Sequence, residues 1–245
     1  MSQVPQPIVI LHGWNHSSAV WEAAYRHLSP DKYQLFIPDL PGFGHNQSVP
    51  SDWSIPEYAH WATTYIENKV LKSPTKDSYV PSKVILLGHS FGGRITSYIA
   101  SQNPAWLQKI ILYAAPLLYR PTFQTRAKIL AYKLGKILTF NSKLLREYIA
   151  HAHHSELHHA DQHNMGQIYR QVVNFDQTEL LPKIKVPTHI IIGTHDHEVR
   201  LSIARESQQL ISDSQLHELV GEGHNIHLEH PDLFYGLIRR ILSNA

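Results

Sequence analysis

KVILLGHSFGG, residues 83–93, runs from an apolar, β-branched stretch directly into Gly88-His89-Ser90-Phe91-Gly92-Gly93. The first five residues have the length and composition of a buried strand, and a helical pattern begins near Phe91. The serine therefore sits in a strand–turn–helix elbow. Glycine is needed on both sides because the tight turn strains the serine, and neighbouring side chains would strike adjacent backbone. The helix start behind Ser90 turns free N–H groups and a positive dipole end toward developing negative charge. Two phosphate-binding readings fail on the residues themselves. A dinucleotide loop requires glycine at 88, 90 and 93, but position 90 is serine, and a P-loop requires a Gly-Lys-Ser/Thr ending that is missing.

Working outward from the elbow, similar apolar runs recur at 8–11, 33–37, 109–113, 189–192 and 215–220. Amphipathic stretches of helical length separate most of them, at 19–28 and 55–71 for example. The second opens on Ser54-Ile55-Pro56-Glu57, a capping box with proline in the first turn. Pro231 starts a last helix through about residue 243, with Leu233, Leu237, Ile238 and Ile241 at helical spacing. Alternating strands and helices predict a mainly parallel sheet covered on both faces. Only the interval 117–182 lacks a convincing strand. It reads as a helical cap inserted into an α/β core made of residues 1–116 and 183–245.

Composition excludes several classes. The chain has 245 residues, 42% hydrophobic and 17% charged, enough to bury a sizeable core without a staple. Absence of cysteine removes thiol catalysis, thiolate metal sites and disulfides together. That usage suits a cytoplasmic protein, and neither a signal peptide nor a run of about 20 apolar residues is evident. A formal charge of +2 is too small to make nucleic acid the main partner.

A serine hydroxyl is a weak nucleophile and needs an adjacent base, itself oriented by a third group. With 19 histidines available, position has to choose. Gly221-Glu222-Gly223-His224 follows the last expected strand and brings His224 to the sheet edge that carries Ser90. His227 and His230 follow closely, but His230 adjoins Pro231 and reads as structural. The strand at 109–113 exits as Ala114-Ala115-Pro116 without a carboxylate, whereas that at 189–192 exits as Gly193-Thr194-His195-Asp196. Asp196 is the first choice for the orienting acid and Glu198 the second. For an oxyanion, the expected donors are the backbone N–H groups of Phe91 and of Trp14, in Leu11-His12-Gly13-Trp14.

His12-Gly13-Trp14, Pro38-Asp39-Leu40-Pro41-Gly42-Phe43-Gly44, the elbow, Gly193-Thr194-His195-Asp196 and Gly223-His224 with Glu229-His230-Pro231 together resemble the α/β-hydrolase family over nearly the whole chain. The chain order Ser90…Asp196…His224 is that family's order. The first two runs are similar to those of the pimeloyl-carrier-protein methyl ester esterase type, while the elbow is generic. The resemblance implies an esterase with a helical cap, acting on small to medium acyl esters with no cofactor and no metal. The same triad serves C–C bond hydrolases, and a catalytically silent ligand-binding member of the fold is the rival from another class. Serine at 90 argues against the dehalogenase and epoxide hydrolase branches, which use aspartate there. Only seven residues precede the strand at Ile8, so six strands are expected where the family usually has eight.

Two features lie within the expected cap. Residues 117–146 carry Arg120, Arg126, Lys128, Lys133, Lys136, Lys143 and Arg146 and no acidic residue. This basic amphipathic segment suits an acidic carrier protein or an anionic surface, or else roofs the acyl pocket with its lysines in water. HAHHSELHHADQH, residues 151–163, holds six histidines. On a helix, His154 pairs with His158 and His159 with His163. Asp161 lies seven residues from His154, about 10 Å along the axis, too far to share one ion with it. A solvated surface is the expected reading of this stretch.

Overall fold

The computed structural model describes residues 5–72, 83–121 and 165–243. Six strands, β1 (Gln6–Leu11), β2 (Tyr33–Phe36), β3 (Val84–His89), β4 (Leu107–Tyr113), β5 (Thr188–Gly193) and β6 (Ser214–Leu219), form one sheet in the order β2-β1-β3-β4-β5-β6. Every pairing is parallel, as the strand–helix alternation predicts. β3 and β5 are buried along their whole length and the edge strands β2 and β6 only partly, because helices cover both faces of the sheet's centre.

Among the described residues the α-helices are α1 (Glu22–His27), α2 (Ile55–Tyr65), α3 (Phe91–Ser101), α4 (Gly166–Asn174), α5 (Leu201–Leu210), α6 (Ile226–Glu229) and α7 (Pro231–Ser243). The helix expected at 19–28 begins as a separate 3₁₀ turn, Ser18–Trp21, which buries Trp21 completely. α2 starts where its capping box sits: the Ser54 N–H donates to the Glu57 carboxylate at 2.8 Å. It ends in a π-helical turn, Ile66–Val70, that buries Ile66 and Val70. β3 extends two residues past the expected end at Leu87, because Gly88 and His89 pair with Leu112 and Tyr113 of β4.

Most of the expected cap, including residues 122–146 of the basic segment and the histidine-rich stretch 151–163, lies outside the described residues. Its two ends do not stand apart from the core. Leu117, Leu118, Met165, Ile168, Val172 and Leu181 share the apolar cluster that packs on the sheet. The buried Arg94 of α3 clamps the second end by donating to the carbonyls of Val172 and Phe175 at 2.9 and 2.7 Å, which caps the C-terminus of α4. Gln177 returns the tie, donating to the Arg94 carbonyl at 2.8 Å. Arg120, in the basic segment, is committed inside the chain to Glu206 and Asp176.

Order reverses between β1 and β3, where the chain's connections leave in opposite directions. A crevice outside the carboxyl ends of these strands is where a ligand binds in open parallel sheets. Ser90 stands at that point.

Candidate active site

Ser90 follows β3 immediately and adopts φ 50°, ψ −111°, a left-handed backbone held by a residue other than glycine. The surroundings explain how this strain persists. The Ser90 N–H donates to the Tyr113 carbonyl at 2.8 Å and the Gly92 N–H to the His12 carbonyl at 3.1 Å, so the elbow is tied to β4 and to the loop after β1. A Cβ on Gly92 would lie 2.1 Å from the Leu11 carbonyl oxygen, which leaves only glycine at that crossing.

Asp196 and His224 are joined. The His224 Nδ1–H donates to Asp196 Oδ2 at 2.8 Å, both groups being nearly buried. Oδ1 of Asp196 accepts the Glu198 and Val199 N–H groups, each at 2.8 Å, which orients the carboxylate from its other side. In the neutral ring with its proton on Nδ1 toward Asp196, the lone pair is on Nε2. Glu198, the second choice for this role, stands at the opposite ring nitrogen, its Oε2 3.3 Å from Nε2. His230 is exposed and bound to Glu222 at 2.5 Å, a carboxylate that holds its pKa above the ordinary value. It takes no part in the Asp196 pair.

Three contacts tie the histidine loop to the ends of β3 and β4. The His224 carbonyl accepts the Tyr113 hydroxyl at 2.8 Å and the His89 Nε2–H at 3.2 Å, and the rings of His89 and His224 are 4.9 Å apart. His89 directly precedes Ser90. The β5–β6 side is equally close, since a Cβ on Gly193 would lie 2.2 Å from the Glu222 carbonyl oxygen. Sequence reasoning missed Tyr113. Its place, at the end of the strand beside the nucleophile's, was a usable signal, but only a carboxylate was sought there.

Among the described residues, the N–H groups of Trp14 and Phe91 donate to no backbone or side-chain acceptor. Trp14 and Phe91 meet edge to face at 5.3 Å between centroids, and Trp14 also meets Phe43 at 5.0 Å and Tyr169 of α4 at 5.2 Å. The two expected donors are thus walled by aromatic surface, part of it from the end of the expected cap.

His12, beneath the elbow, is held neutral. Its Nδ1–H donates to the Gly13 carbonyl at 2.8 Å and its Nε2 accepts the Leu40 N–H at 3.0 Å. Burial lowers its pKa to about 4. No helix among the described residues is long and apolar enough to cross a membrane.

A strained serine at a strand–helix turn, with an aspartate-bound histidine at the same end of a parallel sheet, is the frame that α/β hydrolases share. The chain belongs to that family, whose model matches residues 8–237. Among curated relatives, it is 27% identical over 143 residues to a pimeloyl-[acyl-carrier protein] methyl ester esterase of Vibrio campbellii, covering 58% of this chain and 48% of the relative. The Aeromonas salmonicida esterase of the same name is 33% identical over 120 residues, 49% of this chain and 40% of the relative. The chain therefore spans about half or less of the length of these relatives. Among solved structures, MenH from S. aureus superposes with a TM-score of 0.70 at 23% identity, covering 99% of this chain and 95% of that one.

Proposed function

We propose that the chain is a serine hydrolase that cleaves carboxylic esters of small to medium acyl chains through an acyl-enzyme. The observation that carries this reading is the 2.8 Å hydrogen bond from His224 Nδ1 to Asp196, beside the strained Ser90 elbow. Ser90 attacks the ester carbonyl and its proton passes to the lone pair on His224 Nε2. Asp196 stabilises the imidazolium that results, and the proton is then returned to the leaving alcohol. The Trp14 and Phe91 N–H groups receive the oxyanion. Water then attacks the acyl-enzyme with His224 acting as base again, which releases the acid and restores Ser90.

The aromatic wall of Trp14, Phe43, Phe91 and Tyr169 suits an acyl chain, and residues 117–182 as a cap would roof it. The basic residues at 126–146 suit an acidic carrier protein, the kind of substrate carrier named in the esterases reported above. The protein is read as cytoplasmic, with no cofactor.

The test is covalent labelling and chain-length profiling. A fluorophosphonate is expected to modify Ser90, and nitrophenyl esters of increasing length to show a maximum at short or medium acyl chains. Ser90→Ala should lower kcat by on the order of 10⁴-fold or more. Wild-type turnover by Ser90→Ala would overturn the mechanism, and failure to label or turn over any ester would overturn the activity.

A further inference from the structure

We propose that His16, His89 and His227 form a binding site for one divalent transition-metal ion of the zinc type, directly behind the serine elbow. The three residues span more than 200 positions of the chain and lie in three different segments: the loop after β1, the last residue of β3, and α6. Trp14, Ser90 and His224 lie within three residues of His16, His89 and His227 along the chain. None of the three histidines belongs to the histidine-rich stretch 151–163, and the site stands whether or not Ser90 is a nucleophile.

One nitrogen from each ring lies within 4.8 Å of one from each of the other two. Nδ1 of His16, Nδ1 of His89 and Nε2 of His227 are buried, and none has a hydrogen-bond partner among the described residues. Buried polar atoms left this way are rare, and three on rings clustered this closely call for a common partner. His89 is fully buried and His227 is 1% exposed, while His16 is partly buried.

The outer nitrogens show what the inner ones offer. The His89 Nε2 faces the His224 carbonyl at 3.2 Å, so it carries the proton and Nδ1 holds a lone pair. The Tyr113 hydroxyl spends its proton on the same carbonyl at 2.8 Å. His227 Nδ1, 3.3 Å from that hydroxyl, must therefore donate to it, which leaves the lone pair on Nε2. Two lone pairs thus point into the cluster without a donor. A metal-binding histidine commonly donates its other ring N–H to a carbonyl or a similar oxygen, which is the arrangement of both residues here.

Space and donor chemistry agree. A Cβ on residue 13 would stand 3.0 Å from His89 Nδ1 and 3.4 Å from His16 Nδ1, so Gly13 keeps side-chain atoms away from this point. The ring centroids are 5.0 Å apart for His89–His227, 5.7 Å for His16–His89 and 6.3 Å for His16–His227. An ion about 2.0–2.1 Å from three nitrogens at tetrahedral angles sets imidazole centroids about 5 Å apart. A water bound at ~2.9 Å sets them about 6.5 Å apart. The first two separations fall nearer the ion. The His16 ring lies 15° from parallel with that of His89, so it must rotate as well as move inward by about 1 Å to complete the shell. His16 lies on a loop and is the least enclosed of the three. Three neutral imidazoles with no carboxylate select zinc, cobalt, nickel or copper over magnesium and calcium, which take oxygen. Burial keeps the rings neutral, with His227 lowered to about 3 and His16 and His89 also below the ordinary value, so no proton competes for the lone pairs near neutral pH.

The experiment uses tag-free protein in which His151, His153, His154, His158, His159 and His163 are all replaced by glutamine, which removes the densest other run of imidazoles. Calorimetric titration with Zn²⁺, and Co²⁺ titration followed by its visible d–d bands, should each give one equivalent per chain. Saturating Zn²⁺ should raise Tm by about 5–10 °C. His16→Gln and His227→Gln should each weaken binding tenfold or more. Gly13→Ala, whose methyl would crowd the ion, should do the same. His60→Gln, exposed on α2, should leave it unchanged. Circular dichroism without metal checks that each variant is folded. If His227→Gln is not, His16→Gln decides alone, because that ring is the least buried. No stoichiometric binding in the six-glutamine background, or binding untouched by His16→Gln, would overturn the site.

Discussion

Acid should unfold this protein through histidines that the fold keeps neutral. His12 and His89 are fully buried and His227 is 1% exposed. Burial lowers His12 to about 4 and His227 to about 3, and holds His89 well below its ordinary 6.5. The hydrogen bonds of His12 require the same state, since its Nε2 lone pair accepts the Leu40 N–H at 3.0 Å and a second proton would abolish that bond. Above pH 6.5 these rings are neutral in both the folded and the unfolded chain and contribute nothing to the pH dependence. Between pH 6.5 and about 4 the unfolded chain binds protons that the folded chain refuses, so stability falls as pH falls. At pH 5 the loss is about 2 kcal/mol per ring, or about 6 kcal/mol for three. A domain of this kind has a total stability of about 5–15 kcal/mol, so the loss is a large share of it. Exposed His230, raised by Glu222, acts in the opposite direction, since its pairing is made in acid and lost as pH rises. It is too solvated to offset the buried rings.

The assay is thermal or urea unfolding from pH 7.5 to pH 5 with a chelator present, so that metal binding cannot mask the protons. Tm should drop by roughly 10–20 °C across that range. His12→Gln should remove about one proton from the linkage slope, whatever it does to stability at pH 7.5. Stability that stays flat down to pH 5, or a slope unchanged in His12→Gln, would show that the buried rings take up protons within the fold and would refute the reasoning.

Further outcomes test the site and its supports. Asp196→Asn should lower kcat by on the order of 10³–10⁴-fold while leaving Tm nearly unchanged, because the amide no longer holds the His224 tautomer. Gly193→Ala, whose Cβ would meet the Glu222 carbonyl at 2.2 Å, should displace the His224 loop. It should lose about 1–3 kcal/mol in urea unfolding and tenfold or more in esterase rate. Arg94→Met keeps the buried stem but removes the donor to the Val172 and Phe175 carbonyls, and should destabilise the chain by about 2 kcal/mol or more.

The fold was legible wherever neighbouring residues carry the message. Apolar β-branched runs located all six strands, and Ser54 with Glu57 marked the start of α2. At the elbow, Gly88 and Gly92 announce a close backbone crossing because no other residue fits there. Strand ends were less legible, because β3 runs on through His89 for a reason that lies in β4.

Nearness in space was not legible in this way. Among 19 histidines, chain position and order nominated His224, but the 2.8 Å bond to Asp196 exists only once β5 and β6 pair in register. Glu198 looked like a weaker rival to Asp196 and instead stands at the other ring nitrogen. The densest run of histidines, 151–163, drew the eye because the residues adjoin in sequence. His16, His89 and His227 carry no such local signal, although they share one buried point behind Ser90. By itself the sequence determined periodicity, steric necessity at the elbow and the order of Ser90, Asp196 and His224, since each depends on residues close along the chain or on their order in it. Tertiary structure alone decided which imidazoles meet, because the distance between loops is set by sheet register and packing.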